Sequence, residues 1–500
     1  MRVLGIIGAL IIVFALALPA YAETQSVKIS GDLTMRGISR DNFDLNAQAQ
    51  PDGEHFLLST VEVQVDADLT DNVSTVVRIV NQRNWGDSDR KELREVVDSL
   101  GTNRVIVGHS LLDLGVDLAY VQIKELFFEP VTLRLGRQDL WYGRGLIIGC
   151  NQRDPGFVEV NIPGILMDAD RGIGSPELTA YNSFDAARLI IDFEKYAPFI
   201  VDLVYAKIDE EDVEGGGDTD LYGINAAYRW NVYNAEAEAY YWLKHGNGVG
   251  NPFFGDDDSV NTIGMRGSFM PNEEFIFGGE AAYQFGDYVG TADQAGERKR
   301  DAYMLNAFVE YLGWTKYLYS PKLGAEWIFT SGDRDPELPT GTFGGWHPMF
   351  RGHYPLIIRP FQGLYYITSR FPGGQDLGLT NQHEFILTGS IQPLDDVTFE
   401  ATAARYYFHQ TPPMGSTLEP AARGGHYAGT ELDFQTTYDY TEDVTFSLLT
   451  AWYFPSSDVY GDQGLMQYPN SVTGNPANYT RTPLHDAVAT EVIGSCKVSF

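Results

Sequence analysis

Cysteine is almost missing from this chain. The two present, Cys150 and Cys496, form no Cys-x-x-Cys pair. A redox dithiol, a haem attachment site and a disulfide framework therefore have no support. Cys150 is expected in an external loop and Cys496 near the opposite, C-terminal end, too far apart to bond. Long apolar runs are also missing. Beyond residue 22, no segment approaches the about eighteen apolar residues that a membrane helix needs. Positive charge is scarce, with 35 basic against 68 acidic residues and a net charge of -33. That balance argues against nucleic acid as a partner. Catalytic signatures are missing too: the sequence holds no Gly-x-Ser-x-Gly and no His-Glu-x-x-His. Of the 9 His, His109, His245, His347, His353, His409, His426 and His485 fall in or beside loops, scattered without a nucleophile motif, so a hydrolase has the least support.

What is present begins with a leader. Residues 1–22 carry one positive charge, an apolar core and an Ala20-Tyr21-Ala22 end. This pattern reads as a cleavable secretory signal, with Glu23 opening the mature chain. No Cys follows the apolar core, which argues against a lipid anchor. The mature chain is then periplasmic, secreted or a closed barrel, because helices and closed barrels are the only backbones that span a bilayer.

The remainder alternates. Val27, Ile29, Leu33 and Met35 oppose Lys28, Ser30, Asp32 and Arg36, and Val61, Val63 and Val65 oppose Glu62, Gln64 and Asp66. A two-residue period with one oily and one polar side is that of a strand between two different media. Short turns such as Thr70-Asp71-Asn72 and Thr441-Glu442-Asp443 join strands at one end, while long runs rich in Gly, Pro, Asp and Asn join them at the other. With 29 Tyr and 28 Phe available for interfacial girdles, residues 23–500 are expected to form one all-β domain. That domain is a transmembrane antiparallel β-barrel of about eighteen strands, with short periplasmic turns and long extracellular loops. Two or three soluble β-domains would need linkers and composition shifts, and the chain shows none. The last strand places Val488, Val492, Val498 and Phe500 on one face, an ending of the kind that barrel assembly machinery reads.

The stretch that organises the chain is Leu133-Arg134-Leu135-Gly136-Arg137-Gln138-Asp139-Leu140-Trp141-Tyr142-Gly143, a strand running into a long loop. It resembles a Leu-Arg-x-Gly-Arg-Gln-x-Leu-x-Tyr-Gly segment of the alginate export family of outer-membrane porins. Asn182–Leu189 is similar to that family's Phe-Asp-Gly-x-Arg segment. The resemblance implies a narrow pore lined by Arg and Lys, gated by an external loop and a periplasmic turn, exporting an anionic polysaccharide. The overall acidity departs from that pattern and puts alginate in question more than transport.

Inward positions are the polar half of each strand. Arg36, Arg78, Arg134, Arg137, Arg188, Arg229, Arg266, Lys322 and Arg405 are the basic candidates for the pore lining. Glu310 and Glu326 are acidic candidates, with Asp66, Asp202, Glu236, Glu238, Glu280, Glu384, Glu400 and Glu431 beside them. Arg137 and Arg405 break the simplest alternation. Arginine suits uronate carboxylates because its planar fork binds them bidentately. The alternative role for all these groups is to pair across the barrel and fill it. The run 331–380 sets Arg334, His347, Arg351, His353, Arg359 and Arg370 among Trp346, Phe350, Tyr354, Phe361, Tyr365 and Tyr366, the composition of a sugar platform or a folded-in plug. No cofactor is expected. Asp256-Asp257-Asp258 and Glu210-Glu211-Asp212 could hold Ca²⁺ only without an established loop motif. The expected partners are outer-membrane lipid and lipopolysaccharide, the latter bridged to acidic loops by divalent cations, an anionic polysaccharide or small polar solutes, and periplasmic export partners. A general or cation-selective diffusion porin, or a barrel sheathing a partner, are the alternative functions.

Overall fold

The structure is a computed structural model. It describes residues 25–43, 45, 53–85, 93–97, 103–107, 114–151, 161–162, 165–166, 176–209, 217–248, 259–289, 297–313, 319–334, 341–361, 379–411, 425–459, 466–467, 482–483 and 486–500. The expected leader, both acidic triplets, and Arg370, Tyr365 and Tyr366 lie outside the described residues.

Eighteen antiparallel strands close into a barrel. They are β1 Ser26–Asp41, β2 Glu54–Thr70, β3 Val73–Asn84, β4 Gly115–Ile123, β5 Val131–Gln138, β6 Phe184–Asp192, β7 Phe199–Asp209, β8 Gly217–Trp230 and β9 Ala235–Gly248. The circuit continues with β10 Ser259–Asn272, β11 Phe275–Val289, β12 Glu297–Tyr311, β13 Lys322–Thr330, β14 Gln382–Leu394, β15 Val397–Phe408, β16 Tyr427–Asp439, β17 Val444–Pro455 and β18 Ala489–Ser499. Each pairs with its neighbour in sequence, and β18 pairs with β1 from Asp32↔Ser499 to Asp41↔Thr490. Closure removes every free edge, so all ladder groups of the wall are bonded. Gly31 and Phe500 exchange two backbone hydrogen bonds of 2.9 Å at the seam, which fixes the terminal aromatic at the turn end.

The short turns have local chemical causes. Thr70 Oγ1 accepts from Val73 N at 3.1 Å, Asn272 Oδ1 from Phe275 N at 3.0 Å, and Thr441 Oγ1 from Val444 N at 3.0 Å. In each, a side-chain oxygen reproduces a backbone turn bond. The apolar alternation of the sequence runs from Val116 to Phe128 and from Tyr317 to Thr330. β4 instead stops at Ile123, because Glu125 and Phe127 take positive φ values of 55° and 68°. β13 begins at Lys322, after Tyr319 and Ser320 at φ 71° and 42°, while Tyr317 lies outside the described residues. Backbone in the left-handed region cannot continue a ladder.

The outward face is oily, and its aromatic residues lie toward both strand ends. Leu203, Ile224, Ile263, Met265, Leu305, Leu387, Leu432, Leu448 and Val492 are exposed along its middle. Tyr205 and Tyr222, ring centroids 5.2 Å apart, stand toward the long-loop end, and Phe275 and Tyr311, 4.7 Å apart, toward the turn end. This is the banded exterior of a transmembrane barrel.

Among the described residues, two stretches of loop fold into the bore. Residues 139–151 follow β5, and residues 341–361 follow β13. They join back to back: Phe350 N donates to Ile147 O at 2.9 Å, Gly149 N to Phe350 O at 2.8 Å, and Gly352 N to Gly145 O at 2.8 Å. A Cβ on Gly352 would sit 2.7 Å from the carbonyl carbon of Gly149, so only glycine permits this approach. Leu146, Ile147, Ile148, Phe350, Leu356 and Ile358 are buried with the wall residues Phe184, Trp242 and Tyr406. Each such burial stabilises by about 1.5–3 kcal/mol. With the hydrogen bonds between the two stretches, these contacts hold the loops against the wall.

Candidate transport path

Strand parity decides which charges see the bore. On β5, Thr132, Arg134 and Gln138 face inward, and on β6 Phe184, Ala186 and Arg188 do so. Arg134 and Arg188 are register partners on adjacent strands, an arrangement that like charges oppose. Each is offset differently. Arg188 binds Asp202 on β7 through Nε at 3.1 Å and through Nη2, and lies 5.3 Å from the Tyr142 ring. Arg134 gives Nη2 to Gln122 Oε1 at 2.6 Å and stacks 4.6 Å from the Tyr120 ring. Among the described residues it forms no ion pair with a carboxylate. Tyr142 arrives from the inserted loop, and burial pushes its phenol well above the ordinary value.

Other basic candidates are neutralised. Arg78 binds Asp117 with Nε at 2.8 Å, and Asp117 also accepts from Ser183 Oγ at 3.1 Å. Arg266 binds Glu236 at 2.6 Å and Glu238 more closely. Glu280 on the next strand accepts from Tyr240 Oη at 2.6 Å. Glu310 and Glu326 come together at Arg144, whose guanidinium lies 3.0 Å and 3.4 Å from them and 4.0 Å from the Phe308 ring. Glu326 also takes His353 Nε2 at 2.9 Å and Asn306 Nδ2 at 2.8 Å. The two inserted stretches therefore share one wall carboxylate, 139–151 through Arg144 and 341–361 through His353.

The second stretch is pinned twice more. Arg351 meets Glu384 in a parallel bidentate pair of 2.9 Å and 3.0 Å, both side chains buried. Burial opposes the charge of Arg351, yet the adjacent Glu384 carboxylate holds its pKa above the ordinary value. Glu431 accepts the backbone N–H groups of Ile357, Ile358 and Arg359 at 3.1, 2.6 and 2.9 Å.

The other predicted positions fall elsewhere. Arg36 faces inward and donates to Thr60 Oγ1 at 3.1 Å, without a carboxylate in ion-pair contact among the described residues. Arg229 and Lys322 are exposed on inward positions at the turn end, Arg229 beside Glu194, Pro198 and Ile200. Two candidates are corrected. Arg137 lies on the outer wall, paired with Asp185 at 3.1 Å. Arg405 lies on the outer wall opposite Phe385, which is itself 49% exposed. Both have odd parity on strands whose even positions face in, so an unbroken alternation carries them outward. Sequence reasoning missed Arg144, Asp117 and Gln122. The signal for Arg144 was its placing between Gly143 and Gly145, just past the strand-to-loop stretch.

A closed antiparallel barrel with an oily exterior, a charged lumen and inserted loops is a channel of the bacterial outer membrane for polar or anionic solutes. The family model described as Alginate export matches residues 25–468. The chain belongs to the alginate export family. Among solved structures it is similar to Pseudomonas aeruginosa OpdO, with TM-score 0.52, 10% identity, and coverage of 96% of this chain and 98% of that chain. It is also similar to Pseudomonas aeruginosa OccK9 (OpdG), with TM-score 0.50, 11% identity, and coverage of 95% and 98%. At such identity these structures speak for the fold. No curated protein matches the chain.

Proposed function

We propose that the barrel passes an anionic sugar chain or a smaller uronate-like solute by passive diffusion, without chemistry of its own. The observation that carries this reading is Arg134: an inward cation with no carboxylate pair among the described residues, set against the Tyr120 ring and next to Arg188, which Tyr142 of an inserted loop touches. A guanidinium beside a tyrosine offers both a fork for a carboxylate and a face for a sugar ring. A single uncompensated cation gives a weak contact, which a moving chain can make and leave. Export of an alginate-like polysaccharide, with periplasmic partners delivering it, is the family-based form of this function.

A general or cation-selective diffusion porin is the second reading. It draws on the neutralisation of Arg78, Arg144, Arg188, Arg266 and Arg351 by carboxylates. Planar-bilayer recording separates the two. A current blocked by uronate oligomers but not by neutral oligomers of equal length supports the anionic path. A cation-selective current that uronates leave unchanged supports the second reading.

A further inference from the structure

The outer wall near the long-loop rim carries several cations, and they are not alike. Arg137 pairs with Asp185 at 3.1 Å, Lys207 with Asp218 at 3.0 Å, and Lys299 with Asp287. Each has its counter-ion on an adjoining strand. Arg405 on β15 is exposed, and among the described residues it has no ion pair. Its register partners are Phe385 on one side and Thr430 on the other. A lone guanidinium on the lipid-facing wall is costly at depth and tolerated near the interface, where its long stem lets the charge reach the headgroup layer.

Two imidazoles stand higher on the same wall. His383 is register partner to Tyr407, two residues above Arg405, and its ring lies 6.3 Å from that of His409. His409 Nδ1 accepts from Gly332 N at 3.0 Å, and its Nε2 lies 3.4 Å from Gln410 Nε2, so both ring nitrogens are engaged within the protein. Below Arg405 the wall is hollowed. Ala403 stands between Leu387 and Leu432 on the flanking strands, which are 62% and 42% exposed. Ala401, one step lower, pairs with Gly389 and Phe434. Ala403 between two leucines, with Ala401 beside Gly389 and Phe434 below it, makes a shallow furrow along the strand, headed by Arg405.

We propose that this furrow binds a lipid of the outer leaflet whose headgroup carries a phosphate monoester. The phosphate is taken by Arg405, and an acyl chain lies over Ala403 between Leu387 and Leu432. Guanidinium and phosphate make charge-assisted, geometrically matched bonds. The furrow assigns the anion to a lipid and not to a free phosphate.

The test is lipid retention by the purified full-length barrel in detergent micelles, read by native mass spectrometry. The probes are diphosphoryl lipid A, the same lipid dephosphorylated, and inorganic phosphate. The expected result is preferential retention of diphosphoryl lipid A. Arg405→Gln should weaken it about tenfold, on the scale of one lost charged hydrogen bond. Ala403→Phe, which fills the furrow, should weaken it severalfold, and Arg137→Gln should leave it unchanged. All variants are checked for heat-modifiable migration in gels, so that a folding defect is recognised; because Arg405 is exposed, Arg405→Gln alone decides if Ala403→Phe fails to fold. Equal retention of the dephosphorylated lipid overturns the proposal. So does unchanged retention in Arg405→Gln, or displacement of the lipid by equimolar inorganic phosphate.

Discussion

Arg351 and Glu384 lock the inserted loop to the wall with two parallel bonds, Nη1 to Oε1 at 2.9 Å and Nη2 to Oε2 at 3.0 Å, both partners out of contact with solvent. A buried pair of this kind sets position more than it adds stability, whereas removing one member strands the other charge at a cost of about 3–5 kcal/mol. The width of the bore therefore depends on a contact that single substitutions would break.

Glu384→Gln is expected to loosen residues 341–361 and raise single-channel conductance and open-channel noise, while lowering the melting temperature. Pairing Arg351→Met with Glu384→Leu should restore the melting temperature, because no buried charge then lacks a partner. Bilayer recording and thermal melts of the three proteins check this. A Glu384→Gln channel with unaltered conductance and noise would show that the pair does not hold the loop.

Arg134→Gln removes an inward cation that has no carboxylate in ion-pair contact among the described residues and that lies against an aromatic ring. Uronate block should weaken about tenfold, the scale of one hydrogen bond to a charged group, with conductance in plain salt little changed. Titration of the current with uronate oligomers reads the effect. Unchanged block would take Arg134 out of the path.

Arg144→Gln leaves Glu310 and Glu326 without their shared guanidinium. The reversal potential in a salt gradient should move toward that of cations, since fixed lumen charge sets ion preference. A shift toward anions, or none, would mean that neither carboxylate faces the permeating ions.

Gly352→Val forces a side chain into the 2.7 Å approach to Gly149. Separating the two inserted stretches should cost about 1–3 kcal/mol, as overpacking does, and should increase conductance through a less obstructed bore. A melt and a recording indistinguishable from the parent would refute the back-to-back contact.

Much of the barrel is legible in the chain because lipid and water impose opposite demands on alternate residues. Val27 and Ile29 on β1, and Val492 and Phe500 at the end, are read outward from the sequence and are exposed in the structure. Turn ends such as Thr70 and Thr441 are equally plain, since their side chains bond backbone two or three residues away. Misreadings fall where local φ overrides pattern, as at Glu125 and Phe127, or where a charge sits on the oily face. Arg137 and Arg405 were expected to line the pore because they are charged. Parity, not charge, carries them to the outer wall.

By itself, the sequence determined the alternation, the count of about eighteen strands and the side of each turn, because these depend on a residue and its nearest neighbours along the strand. Only the tertiary structure decided which cations in the bore keep a counter-ion. Arg188 finds Asp202 one strand away, Arg144 finds Glu310 across 166 positions of sequence, and Arg134 finds Gln122 and Tyr120 instead of an acid. Ion pairs form between groups brought within a few ångströms by strand register and loop insertion, and neither distance is encoded in the spacing of residues along the chain.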